Sequence, residues 1–479
     1  MRRYRPYWPL GALLAAGLAL RVLAFVAYWP ALWFPDSQHY LRNAVLSPHP
    51  DEQRPFGYPA LVWIFAKSHA PAWTLAAFQN LLGLAVVAGI YLLVVRRGGP
   101  RWLAVVAAAP LALDANALLV EHYLLAEALF TALLAAAVGL LLWADRPGWL
   151  AATGAGLLFA LSGLTRTVGL PLAGLGLLYL LVRRVGWRAL AGFALAVVLP
   201  IGGYLVWYHS SHGVFATTQY SGRFLYGRVA PFADCTRTPV HGAEARLCET
   251  HHISGNPDDY VWHSNSPGRR YFPSVKDDPK LSDFATKVIE HQPVDYAKAV
   301  VRDTLKYFDL SRNDPAPFRK PLPYLDDRTV LCNQWMRFPA DPAPAPPQQT
   351  QVSCAPMLQS YNPNLHPART ASNHAAARFL HAWSRIAVTP GPLLAIALLL
   401  GLAALARPGR LRWDAPVLAL AGLALLVIPS ATSLFDARYG VPALAVLPPA
   451  GALGLLAWLR RRTPPAEPEP EPATAEATA

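Results

Sequence analysis

Apolar runs of membrane length recur from one end of the chain to the other, and no other feature limits the possible folds so strongly. A helix needs about 20 apolar residues to cross the hydrocarbon core. Candidate runs fall at 8–29, 72–95, 102–119, 124–144, 149–164, 167–182, 189–208, 386–406, 415–432 and 440–459. The runs 149–164 and 167–182 are short for two crossings. Thr165-Arg166-Thr167 divides them, however, and an arginine at the centre of one kinked span would be costly. Charged residues make up 15% of the chain and hydrophobic ones 54%, against roughly 25% charged in soluble domains. Only helices and closed barrels satisfy every backbone polar group in lipid, and runs of this length are helical. The expected fold is an all-α polytopic membrane protein of about ten transmembrane helices. The first run ends in Trp29-Pro30, not in a small-residue cleavage site, so it reads as an anchor and not as a removable signal.

The formal charge of +13 does not imply nucleic acid as a partner. The arginines cluster in short loops, as topology signals do. Arg2, Arg3 and Arg5 precede the first run. Arg96, Arg97 and Arg101 follow the second, Arg146 the fourth, and Arg183, Arg184 and Arg188 the sixth. Arg407, Arg410 and Arg412 follow the eighth, and Arg460, Arg461 and Arg462 the tenth. With ten alternating spans all of these loops share one face, which places both termini in the cytoplasm. The opposite face then receives the first loop 30–70, the Glu121-His122-Tyr123 turn, the Thr165-Arg166 turn, the stretch Phe435–Tyr439 and the long polar segment 209–385.

All four cysteines, Cys235, Cys248, Cys332 and Cys354, lie in that long segment. Confinement there points to disulfides in an oxidising compartment, with nearest-neighbour pairing (235–248 and 332–354) chosen from three connectivities. The expected organisation is an N-terminal membrane module 1–208, a mixed extracytoplasmic domain 209–385, C-terminal membrane helices 386–460 and a cytoplasmic tail 461–479. Within the outer segment, 282–310 has loosely helical apolar spacing, and the proline-rich 339–347 reads as an extended linker. The stretch 463–479, made of Pro, Glu and Ala, reads as disordered. The apolar run 58–66 is too short to span and reads as interfacial.

Several polar residues on the non-cytoplasmic face can carry chemistry. Asp36 could be the N-cap of a short interfacial helix; equally, a carboxylate at the membrane boundary can act as a general base. Glu121, His122 and Glu127 sit at span ends, where acids are costly. Arg21, inside the first span, needs an acidic partner, with Asp114 and Glu127 as the candidates. His39, Glu121, His122 and Glu127 are divalent-ion ligands by type, although they lack metal-ligand spacing. Arg54, Arg166 and Arg438 run against the positive-inside trend. Their guanidinium forks suit phosphate, whether on a ligand or on lipid headgroups. Neither an Asp-x-Asp pair nor a nucleotide-binding loop occurs, so a sugar donor used on this face should be lipid-linked.

These residues, in this order, resemble the GT-C superfamily of integral membrane glycosyltransferases, in the branch of protein mannosyltransferases and aminoarabinose transferases. The matching features are Arg21, the first-loop Asp36-Ser37-Gln38-His39-Tyr40, Arg54-Pro55-Phe56-Gly57-Tyr58-Pro59, Glu127, Leu164-Thr165-Arg166 and Asp436-Ala437-Arg438-Tyr439. They cover about 1–210 and 386–460. Members often carry two adjacent acids in the first loop, where this chain has Asp36 followed by Ser37. The resemblance implies Asp36 as the catalytic base, a polyprenyl-phosphate sugar as donor, and a lipid, glycan or protein as acceptor. Arg54, Arg166 and Arg438 would hold the donor phosphate. His39, Tyr40, Tyr58, Glu121, His122, Glu127, Asp436 and Tyr439 would line the substrate site, and a divalent metal is left open. A transporter or flippase of a lipid-linked saccharide is the alternative that ten spans and intramembrane charges also fit, although the halves show no inverted repeat.

Overall fold

The computed structural model describes residues 7–460 except 30, 33, 47, 69, 71, 249–252 and 311–373. The Cys332–Cys354 pairing, the proline-rich linker and the C-terminal tail lie outside the described residues. Among the described residues there is no strand, just an isolated parallel bridge between Leu32 and Tyr123.

All ten apolar runs are helical. They form α1 (Trp8–Ala27), α4 (Ala72–Arg96), α5 (Arg101–Leu113) with α6 (Ala115–His122), α7 (Ala126–Trp143), α8 (Trp149–Thr165), α9 (Gly169–Val182), α10 (Trp187–His212), α17 (Gly391–Ala403), α18 (Leu411–Thr432) and α19 (Leu447–Leu459), the last preceded by the 3₁₀ segment Ala437–Ala445. Two short helices of the first loop, α2 (Pro35–Leu41) and α3 (Gly57–Lys67), lie between α1 and α4. Five helices (α1, α4, α7, α10 and α18) are long and apolar enough to cross a membrane, or seven spans if each of two bent pairs counts as one. Three further apolar helices, α8, α9 and the segment 391–406, are shorter. The run 102–119 is therefore not one straight span. It bends by 50° between α5 and α6, because Asp114 leaves the helix to cap the next one, accepting from the amides of Asn116 and Ala117.

Bundle packing uses small residues to bring backbones together. At Gly454 of α19, a Cβ would lie 2.1 Å from the Leu400 carbonyl oxygen of α17, so this crossing admits glycine alone. The buried Arg21 does find an acid, but it is Glu121, not Asp114 or Glu127. Its Nε and Nη2 donate to the two carboxylate oxygens at 2.8 and 2.9 Å, and Nη1 donates to the Gly17 and Ala112 carbonyls. The pairing follows from how α1 and α6 are rotated against each other, which spacing alone does not reveal.

The arginine loops meet at one end of the bundle. Arg97 donates to Asp145 at 2.7 Å and faces Asp414 at 3.2 Å. Arg183 and Arg410 reach the same Asp145, Arg96 donates to the Trp143 carbonyl, and Arg460 donates to that of Arg97.

The opposite end carries the long polar segment. Its described part consists of helices α11 (Ser221–Val229), α12 (Pro257–Trp262), α13 (Pro267–Tyr271), α14 (Asp278–His291) and α15 (Pro293–Leu305), with α16 (His374–Ser384) preceding α17. Helices α11 to α15 pack around Tyr226, Phe272, Leu281, Phe284 and Val288, and burying each such side chain is worth about 1.5–3 kcal/mol; α16 instead packs on the membrane bundle through Ala376, Ala377 and Leu380. The helical run expected over 282–310 is broken at Pro293. Gln292 before it is fully buried and its amide donates to the Asp234 carbonyl and to Thr238 Oγ1. Cys235 and Cys248 form the expected disulfide.

Candidate functional site

The first loop is pinned to the bundle by two backbone bonds. Leu32 donates to the His122 carbonyl at 3.0 Å, and Leu124 donates to the Leu32 carbonyl at 3.1 Å. This bridge sets α2 beside the start of α7. At the head of α2 the Phe34 amide donates to Ser37 Oγ, so the cap is made by Ser37. Asp36, in the first turn, turns its carboxylate elsewhere.

Both of its oxygens meet arginines. Arg54 Nη2 donates to Oδ1 at 2.5 Å and Arg438 Nη1 donates to Oδ2 at 2.8 Å. Arg438 also donates through Nε to Asp436 Oδ2 at 2.7 Å and lies 3.7 Å from Glu127 Oε1. Arg166 pairs with the same Glu127. The three arginines and three acids form one chain of contacts, Arg54–Asp36–Arg438–Glu127–Arg166, with Asp436 as a branch on Arg438. Formal charge cancels within it.

Aromatic faces complete the cluster. Arg438 lies 4.5 Å over the Phe34 ring and 5.0 Å over Tyr439, Arg166 4.8 Å over Tyr439, and Arg54 5.6 Å over Tyr40. Such cation–π contacts hold a guanidinium in place while leaving its in-plane donors for an anion.

Local sequence explains the convergence. Asp436 is the N-cap of the 3₁₀ segment, its Oδ1 accepting from the Arg438 amide at 3.0 Å, which fixes the turn that presents Arg438. Glu127 opens α7 and Arg166 closes α8. Gly57 brings the Arg54 loop onto the end of α8, where a Cβ would lie 2.5 Å from the Leu164 carbonyl oxygen. Any other residue there would push the Arg54 loop off the end of α8.

Burial pushes the Asp36 carboxyl up, but Arg54 and Arg438 outweigh it and hold the group well below the usual carboxylate range. Asp36 is therefore an anion at neutral pH. Burial pushes the Tyr40 hydroxyl up to about 12, with Arg54 opposing, so Tyr40 stays a neutral donor. Burial and then Arg54 push the partly buried His39 down, leaving a neutral imidazole beside Asp36.

The remaining expected site residues have other contacts. Tyr58 is buried beneath Tyr40, with ring centroids 4.8 Å apart, and donates to Gln79 Oε1 at 2.5 Å. Gln79 in turn donates to the Glu121 and Tyr123 carbonyls. Glu121 is committed to Arg21. His122 is buried, its Nε2 3.0 Å from the Tyr28 carbonyl and its ring edge-on to Phe25. These three residues support the frame and do not line the cluster.

Three residues escaped the sequence reading. Phe34 carries the face under Arg438. Tyr307, following α15, donates to the Asp436 carbonyl at 3.1 Å and its ring lies tilted against Phe435, with centroids 4.5 Å apart. Asp258 on α12 is close enough to feel Arg438 and Asp436; burial pushes its carboxyl up to about 6, Arg438 opposing and Asp436 adding. Only Phe34 had a signal, an aromatic ring two residues before the key acid. Among the described residues no group of three or more His, Cys, Asp and Glu is placed to hold a metal ion. The acids of the cluster face guanidinium groups, so this donor set does not fit a divalent ion.

No protein-family model and no curated protein matches the chain. Solved structures do. One is the S. cerevisiae protein O-mannosyltransferase complex bound to the sugar donor, at 17% identity and TM-score 0.35, covering 48% of this chain and 36% of that one. A second is the archaeal oligosaccharyltransferase AglB from Archaeoglobus fulgidus with an inhibitory peptide and a dolichol-phosphate, at 13% identity and TM-score 0.40, covering 95% and 50%. A third is ArnT from Cupriavidus metallidurans bound to undecaprenyl phosphate, at 14% identity and TM-score 0.37, covering 94% and 78%. The chain thus spans between about a third and a half of the first two. These neighbours are GT-C glycosyltransferases, the superfamily that the sequence motifs resemble. A likeness at this level gives no residue a role.

Proposed function

We propose that the protein is a membrane glycosyltransferase that moves a sugar from a polyprenyl-phosphate donor to an acceptor hydroxyl on the extracytoplasmic side. The observation that carries the reading is one buried carboxylate, Asp36, held between two arginines, with a third arginine joined to Arg438 through Glu127 at the end of an apolar bundle. Three forks at the boundary of a lipid-facing fold suit a phosphodiester whose chain lies in the bilayer. The disulfide at the site end and the gathering of arginine loops at the other support the extracytoplasmic assignment.

The donor phosphate competes with Asp36 for Arg54 and Arg438. As those contacts pass to phosphate, Asp36 loses what holds its proton affinity down and becomes a better base. It removes the acceptor proton while the acceptor oxygen bonds to the anomeric carbon. The carbon–oxygen bond to phosphate breaks, the polyprenyl phosphate leaves with the electron pair, and the proton remains on Asp36. With no second carboxylate assigned as nucleophile, the configuration inverts. Arg54, Arg438 and Arg166 face the charge that develops on the leaving oxygen, the interaction that lowers the barrier most. His39, Tyr40, Asp436 and Tyr439 border the sugar. The outer helices, through Asp258, border the acceptor. The identity of the sugar is read by incubating detergent-purified protein with a panel of polyprenyl-phosphate sugars and an envelope lipid, glycan or peptide acceptor, following release of free polyprenyl phosphate. Acceptor-dependent release is the expected result. A protein that moved lipid-linked sugar across vesicles and consumed none in detergent would be a transporter, and the reading would fall.

A further inference from the structure

Helix α15 presents two unlike faces. Toward the protein it buries Ala299, Asp303 and Thr304, Asp303 pairing with the buried Arg228 of α11. On the other face Val294, Val301 and Leu305 are 60%, 55% and 58% exposed. At about 100° per residue these three fall in one narrow stripe, and Lys298 and Arg302, both exposed, lie beside it. An aligned aliphatic stripe is not the scatter of single apolar residues that ordinary surfaces carry.

The position of α15 says what meets this stripe. Tyr296 Oη donates at 3.0 Å to the carbonyl of Ala431, in the last turn of the membrane-length α18. Just past the other end of α15, Gly391, the first residue of α17, packs so tightly that a Cβ would lie 2.4 Å from the Phe308 carbonyl carbon. Tyr296 and Phe308 are twelve residues apart, about 18 Å of helix. The helix therefore reaches across the site-side ends of two apolar helices. Its exposed stripe runs on through Leu310 at 73% and resumes in α17 with Leu393, Ile396 and Leu399 at 56%, 51% and 64%, residues exposed on the outside of an apolar helix.

We propose that α15 is an interfacial helix, its Val294, Val301 and Leu305 stripe immersed in the bilayer surface on the side of the site. Lys298 and Arg302 extend along it to lipid phosphates, as long cationic side chains do at a membrane boundary. The helix runs on into Tyr307, which holds the Asp436 carbonyl, so the bilayer seats the helix that buttresses the Asp436–Arg438 turn. The assignment does not depend on the transferase reading. It is tested with Val301→Cys carrying an environment-sensitive fluorophore, the native disulfides intact, in phosphatidylcholine–phosphatidylglycerol vesicles. Glu290→Cys, on the exposed side of α14, is the reference. The expected result is quenching by shallow spin-labelled lipid several-fold stronger at Val301 than at Glu290, with protection of Val301 from aqueous iodide. Equal iodide quenching at both positions overturns the proposal. So does protection of Val301 from both quenchers, since protein and not lipid would then cover the stripe. Val294→Cys provides the same readout should the Val301 variant fail to fold.

Discussion

Replacing Asp36 with Asn separates chemistry from architecture. The exchange keeps the shape and removes the charge that Arg54 meets at 2.5 Å and Arg438 at 2.8 Å. Stranding a buried charge costs about 3–5 kcal/mol, but neither arginine is stranded here. Arg438 keeps Asp436 at 2.7 Å, and the Arg54 side chain is 20% exposed and recovers some hydration. The stability loss should fall short of that range, near 2 kcal/mol, and the variant should remain folded. The rate effect is of another size, because losing a positioned general base costs about 10²–10⁴-fold. The assay is the initial rate of polyprenyl-phosphate release at saturating donor, with a melting curve on the same preparation. A pH series gives an internal check. Burial raises the Asp36 carboxyl, the two arginines lower it further, and the net shift is downward. A depressed acid stabilises the fold above its unfolded value of about 3.9 and loses that contribution as pH falls through the folded one. The melting-temperature gap between parent and variant should be flat from pH 5 to pH 8, by the same linkage, and shrink below about pH 4. A folded Asp36→Asn protein retaining activity within about threefold of the parent would remove Asp36 from the mechanism, since no base in use is so dispensable.

Other residues give independent tests. Glu121→Gln strands Arg21 among apolar helices and should lower stability by about 3–5 kcal/mol, whereas Arg21→Met with Glu121→Gln should recover much of the loss in a double-mutant cycle of melting curves. Asp258, pushed up to about 6, opposes folding once ionised: its contribution is full below the unfolded value near 3.9 and is lost as pH rises through the folded one. Asp258→Asn should therefore raise the melting temperature at pH 8 and leave it unchanged at pH 4. Cys235→Ser opens a loop of 13 residues' separation and should cost about 3 kcal/mol by loop entropy, read as earlier proteolysis of the site-side domain.

Much of the frame was legible because lipid enforces it. Every apolar run is helical, and the described arginine loops meet at one end. The six ionisable groups of the cluster were legible for a related reason: charge at a membrane boundary is expensive, so Asp36, Arg54, Glu127, Arg166, Asp436 and Arg438 stood out. What stayed hidden depends on rotation between helices. Arg21 turns toward Glu121, and Tyr58 and His122 turn inward to Gln79 and the Tyr28 carbonyl; a linear pattern carries no such angle. The bend at Asp114 stayed hidden because an acid inside an apolar run reads as an ion-pair partner for Arg21 as readily as a helix cap. Tyr307 and Asp258 come from the polar segment, where no hydrophobic period marks which side chains point back at the bundle.

The layout of the ion pairs also bears on how the chain is made. Asp36 meets Arg54 only 18 positions away, yet meets Arg438 across 402. Glu127 has Arg166 in the next helical hairpin, and Arg438 arrives with Asp436 two residues before it. Each acid of the cluster thus emerges during synthesis with a counter-charge behind it, so the segments that carry these acids can enter the membrane electrically balanced. The contact of Arg438 with Asp36 joins the first loop to the last helices and can form only when the final hairpin is in place. A chain cut short before the final hairpin would therefore lack the Asp36–Arg438 contact that closes the cluster.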